Sequence, residues 1–213
     1  MDPDQDRVEE IEESLSFTKN NLPFNCILSN CNEPLTNSSV ISHLTSTNHN
    51  IESQDVEFNE KVSLMVSVDE NFMSYGKNVC LGVLGLKIKK HDETTNSIKE
   101  NILAISIMAC KSNYYHIYDN NKNEKADPDG DFLTFWLVMA KPDDIELRAA
   151  VSANNESDRS SLSTLINVRD IRDCQNVAEF MSNDIDFLKI NRSMWEKIIN
   201  DDALLIEVMM MEK

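Results

Sequence analysis

Phe132-Leu-Thr-Phe-Trp-Leu-Val-Met139 is the stretch on which the fold turns. Its aromatic and β-branched side chains suit the pleated surface of a sheet. Working outward, Ile102 to Cys110 is apolar enough to be another central strand, and Cys80-Leu-Gly-Val-Leu-Gly-Leu-Lys-Ile88 is a third, with room for a bulge at Gly82 or Gly85. Further upstream, Val62, Leu64, Val66 and Val68 alternate with Lys61, Ser63, Met65 and Ser67, the period of a half-buried strand.

Downstream, Ile145 to Ala153 and Ser163 to Val168 add two more strands, and Phe187-Leu-Lys-Ile190 is extended. Val177 to Met181 makes a helical turn, Ser193 to Ile199 a short helix, and Ala203 to Met211 a strongly apolar final strand. Polar connections separate these pieces at His91 to Lys99, Asp119 to Asp131 and Asn154 to Ser160. Strands recurring between turn-like breaks, with few helical patterns, predict a mainly β chain whose residues 56–213 form an antiparallel β-sandwich.

Residues 22–50 follow a different rule. Cys26-x4-Cys31-x11-His43-x5-His49 offers two close sulfurs and two close imidazoles. Four such ligands, from a knuckle and a helix, are what a structural zinc ion takes in tetrahedral geometry. The spacing predicts a ββα-type Cys2His2 module. Cys26 and Cys31 sit on a short hairpin, and His43 and His49 at the end of a helix starting near Asn37, with Asn37 or Ser38 as cap. Leu35, Val40 and Leu44 fill the small core between them, separate from that of the sandwich. A closed site of this kind leaves no position for a substrate water, so the ion would brace the backbone and not catalyse.

Residues 1–21 are acidic and polar. Val8, Ile11 and Leu15 permit a short amphipathic helix, although a polar tail is the plainer reading. Seven carboxylates among the first twenty residues are the reverse of a signal or transit peptide. The five cysteines are odd in number and scattered, unlike a secreted disulfide framework. An intracellular protein, cytoplasmic or nuclear, is expected, and no apolar run is long enough to span a membrane.

The 37 acidic and 20 basic residues give a formal charge of −17, which repels nucleic acid and anionic lipid and favours a basic peptide or protein surface. Between Asn20 and Glu60 there is no Lys or Arg, so the counterion-release term of nucleic-acid binding is missing there. Enzyme signatures are likewise missing. Four glycines (Gly76, Gly82, Gly85, Gly130) form no phosphate-cradling loop, and no Gly-x-Ser-x-Gly elbow occurs. His91 or His116 could activate Cys80, Cys110 or Cys174, but lone cysteines in strand patterns are usually core. Trp136 and Trp195 read as packing residues. The loop Asp119 to Asp131 fails the calcium pattern in both registers, because positions six and twelve hold neither the Gly nor the Glu it needs.

The order of module and sandwich, with Ile171-Arg-Asp-Cys174, Asp186-Phe-Leu-Lys-Ile190 and Ala203-Leu-Leu-Ile-Glu-Val208, resembles the C-terminal part of seven-in-absentia proteins and the wider TRAF-like sandwich. Ile102 to Trp136, together with the Cys/His module, resembles more closely an uncharacterised family associated with insects and known as a domain of unknown function. The resemblance covers roughly residues 24–211. A TRAF-like sandwich implies an extended peptide bound along a sheet edge. Seven-in-absentia ligases also carry an N-terminal RING and a second finger; this chain has neither, so ligase activity is not implied. No peptide-contacting residue carries over. The expectation is a non-catalytic adaptor or scaffold with a structural zinc module; the alternative is a nuclear factor associated with chromatin or nucleic acid.

Overall fold

The alternation in Ala203 to Met211 persists in space: Leu204, Ile206, Val208 and Met210 are buried, and the residues between them are half-exposed. The computed structural model describes residues 23–28, 31–47, 49–67, 77–92, 97–113, 131–141, 145–155, 161–173, 186–199 and 203–212. The acidic tail, Val177 to Met181, His116, Cys174 and the calcium-like loop up to Gly130 lie outside these residues.

The chain begins with a two-stranded hairpin, β1 (Phe24–Asn25) and β2 (Pro34–Leu35), followed by helix α1 (Val40–Leu44). The strands β3 (Ser53–Val56), β4 (Lys61–Ser67), β5 (Asn78–Asp92), β6 (Ser97–Asn113) and β7 (Asp131–Met139) come next. After them stand β8 (Leu147–Asn154), β9 (Ser161–Asn167), β10 (Arg169–Asp170), β11 (Leu188–Asn191), α2 (Arg192–Ile198) and β12 (Ala203–Glu212).

The larger sheet runs β10-β7-β6-β5-β3, with β11 also paired to β7; the smaller runs β4-β12-β8-β9. The expected all-antiparallel order fails at two places. β3 pairs parallel to β5, and β10 parallel to β7. Both are short strands that the chain lays down on its way into or out of a sheet, so no hairpin fixes their direction. At Gly85 a Cβ would meet Asp55 Oδ1 at 2.8 Å, so the bare backbone lets β3 approach. The β5–β6 register shifts between Cys80 and Gly82, one of the two bulge positions expected.

Side chains from both sheets share one hydrophobic core. Leu84, Ile105, Ile107, Phe135 and Leu137 come from the larger sheet, and Val62, Ala149, Val151, Leu204 and Ile206 from the smaller. α2 adds Trp195 and Ile198, and begins where the Asn191 side chain accepts a hydrogen bond from the Met194 N–H at 3.0 Å.

All nine residues of β7 are buried. Leu133, Phe135, Leu137 and Met139 point into the core shared by the two sheets, while Trp136 and Val138 belong to a second cluster on the opposite face. That second cluster contains Phe24, Cys26, Leu35, Val40 and Leu44 together with Cys80, Val83, Met108, Cys110, Ile171 and Phe187. The module's cluster is separate from the core between the sheets, as expected, but it is not confined to hairpin and helix: it takes in side chains on the far face of the larger sheet. The reason is size. A hairpin of two-residue strands and a five-residue helix bury too little apolar surface by themselves, and fully burying a Leu or Val is worth about 1.5–3 kcal/mol wherever the contact is found.

Candidate metal centre

The hairpin is closed by backbone pairing of Phe24 with Leu35, and by the Cys26 N–H donating to the Glu33 carbonyl at 3.0 Å. The Cys31 N–H donates to the Leu28 carbonyl at 2.9 Å. These bonds bring the two sulfurs back towards each other across the loop.

The helix is shorter than the spacing suggested. It starts at Val40, and neither Asn37 nor Ser38 caps it. Residues before it form a turn in which the Ser39 N–H donates to the Thr36 carbonyl and the Thr36 N–H to Ser39 Oγ, both local bonds that compete with helical ones. His43 is in the last turn, and His49 lies beyond the helix. A gap of six residues exceeds the three or four that align side chains on a helix face. The chain solves this with a turn: the His49 and Asn50 N–H groups both donate to the Ser46 carbonyl, and Asn50 adopts a φ of 50°. Asparagine tolerates that left-handed conformation better than most residues.

The ligand atoms of Cys26, Cys31, His43 and His49 all lie within 4.8 Å of one another. Cys31 Sγ is 3.6 Å from His43 Nε2, and His43 Nε2 is 3.0 Å from His49 Nε2. A tetrahedral ion with metal–sulfur bonds near 2.3 Å and metal–nitrogen bonds near 2.0 Å separates S and N by about 3.6 Å and two nitrogens by about 3.3 Å. These two spacings are close to those values, and the four residues lie close enough to bind a metal ion, with a donor set compatible with zinc.

Burial pushes the Cys26 thiol up to about 11; a hydrogen bond from the Leu28 N–H opposes this, and neighbouring Cys31 and Glu33 add to it. Such a thiol has no reason to ionise by itself, whereas a divalent cation at the centre of the four would deprotonate it. The sequence pattern missed one participant. Glu33 Oε2 is 3.2 Å from His43 Nδ1, the ring nitrogen turned away from the other three ligands. An acidic residue inside the ligand loop, two places after Cys31, was the available signal.

Among the described residues, the other cysteines are not part of the converging ligand set. Cys80 is buried in the strand layer beneath the module, where its thiol donates to the Gly82 carbonyl at 3.5 Å. Burial pushes that thiol up to about 12. Cys110 is buried in the same layer, its sulfur 3.5 Å from Ser112 Oγ. Trp136 packs beneath the module and Trp195 in the core between the sheets. Among the described residues no helix is long and apolar enough to cross a membrane.

A family model, Domain of unknown function (DUF4729), matches residues 25–201, a span that takes in all four converging ligands and the strands on which they rest. No curated protein matches the chain.

Proposed function

We propose that this chain, which belongs to the DUF4729 family, is a non-catalytic intracellular scaffold that binds a protein or peptide partner, and that a structural Zn2+ ion held by Cys26, Cys31, His43 and His49 braces it. The observation that carries the reading is the convergence of the four donor atoms within 4.8 Å. Two sulfurs and two imidazole nitrogens make up a whole coordination sphere, so the ion keeps no open position for a reacting water.

The brace acts on more than its own loop. Val40 and Leu44 of the module share a buried cluster with Met108, Trp136 and Val138 of the larger sheet. Holding the hairpin and helix together holds that cover in place. The apolar face of α1 is thereby spent on the protein's own sheet. Together with the absence of Lys and Arg between Asn20 and Glu60, this favours a protein partner over a nucleic-acid groove. The TRAF-like resemblance supplies the mode, an extended segment lying along a sheet edge, and the charge of −17 supplies the sign, a basic segment.

The reading is tested by metal analysis and peptide-array binding on one preparation. About one zinc per chain is expected in wild type and none in a Cys26→Ser/His43→Ala protein. Basic peptides should be retained over acidic ones, with affinity falling as salt rises. Wild-type protein from zinc-replete medium without metal, or retention that ignores peptide charge, would remove the respective half of the proposal.

A further inference from the structure

We infer that Glu33 is the positioning residue of the metal centre, orienting His43 through Nδ1 so that Nε2 is offered to the ion. The inference rests on the metal reading above and adds a specific partner to it. The two nitrogens of the His43 ring face opposite ways. Nε2 stands 3.0 Å from His49 Nε2 and 3.6 Å from Cys31 Sγ, inside the ligand cluster, while Nδ1 stands 3.2 Å from Glu33 Oε2, outside it. A neutral imidazole has one N–H and one lone pair. A carboxylate accepting from Nδ1 places the proton there and leaves the lone pair on Nε2, where a metal needs it.

Glu33 is anchored for this task. Its carbonyl accepts from the Cys26 N–H at 3.0 Å, so the backbone that carries the carboxylate is tied to the first sulfur ligand. The His43 side chain is 7% exposed and that of Glu33 59%. The ring is therefore shielded by packing while the carboxylate reaches in from the solvent side. The carboxylate also places a negative charge beside a site whose two thiolates already neutralise a divalent ion.

Cobalt(II) serves as the probe, because its absorption reports tetrahedral sulfur–nitrogen coordination and its affinity can be measured by competition with a chelator. The full chain is compared with Glu33→Gln, Glu33→Ala and a control, Glu57→Ala, an exposed residue between β3 and β4. Expected affinity falls in the order wild type, Glu33→Gln, Glu33→Ala, with Glu33→Ala about 10–100-fold weaker and the control unchanged. Glutamine keeps an acceptor for Nδ1–H, so partial rescue marks orientation, and β-sheet circular dichroism should be the same in all four apo proteins. Glu33→Ala binding within about twofold of wild type would overturn the inference while leaving the metal site standing. An equal loss in the control would also overturn it. Wild-type protein that takes up no cobalt would overturn both the inference and the reading beneath it.

Discussion

Cys26 is 8% exposed, so bulk water does not readily take the place of its sulfur. Cys26→Ser keeps the size and removes the soft ligand; the remaining three donors should bind zinc at least 100-fold more weakly, as read by competition with a chelator. A second residue-scale test concerns acid. The Lys61 ammonium, hydrogen-bonded across the β4–β12 pair, holds the Glu207 carboxyl below the ordinary glutamate range, against a smaller opposing effect of burial. A carboxyl depressed in the folded state stabilises fully above its unfolded pKa of about 4.3, and loses that contribution as pH falls through the folded value. Urea midpoints measured from pH 6 down to pH 3 should therefore fall less steeply in Glu207→Gln than in wild type. The difference is expected to be about 1 kcal/mol or less, since Lys61 is 60% exposed.

Helix α1 has five residues and the β1–β2 hairpin two residues per strand, lengths at which neither element is stable in isolation. Their stability comes from the sheet beneath. Leu44, 1% exposed, lies in the cluster with Trp136 and Val138, so Leu44→Ala should cost about 2–5 kcal/mol. Because the cluster is shared, the loss should lower the midpoint of one cooperative transition followed by circular dichroism. A separate early transition of the module alone would contradict the shared core. At α2 the cap is the decisive feature: Asn191→Ala removes the acceptor for the Met194 N–H and should cost about 1 kcal/mol in chemical denaturation, with Trp195 emission as the readout.

For the molecule as a whole, the two tryptophans sit in different layers and report on them separately. Trp136 lies under the module, 3% exposed, and Trp195 in the core between the sheets, 6% exposed. Chelating the metal from wild type should loosen the cover and shift emission to the red, and Trp136→Phe should abolish most of that shift while Trp195→Phe preserves it. The strand pattern read along the chain corresponds closely to what is found: the stretches around Lys61, Ile102, Phe132 and Ala203 became β4, β6, β7 and β12. Ser193 to Ile199 became α2 within a residue at either end. β3 was not legible, because three of its four residues are exposed and polar and it exists only through pairing with β5. β10, two residues long, was hidden for the same reason.

By itself the sequence determined the local facts. Period-two alternation set which side chains of β12 turn inward, and the chemistry of two cysteines and two histidines limited the class of ion that would suit them. Those properties depend on residue type and on neighbours a few places away. Tertiary structure decided what lies far apart in the chain: which strands run parallel, that β7 is covered on both faces, and that the Cys/His module shares its apolar cluster with the larger sheet. It also decided that Glu33, an acidic residue that the ligand pattern passed over, faces the back of His43. Pairing direction and shared burial are settled by which distant surfaces meet, and a continuous apolar run such as Phe132 to Met139 reads the same whatever covers its second face.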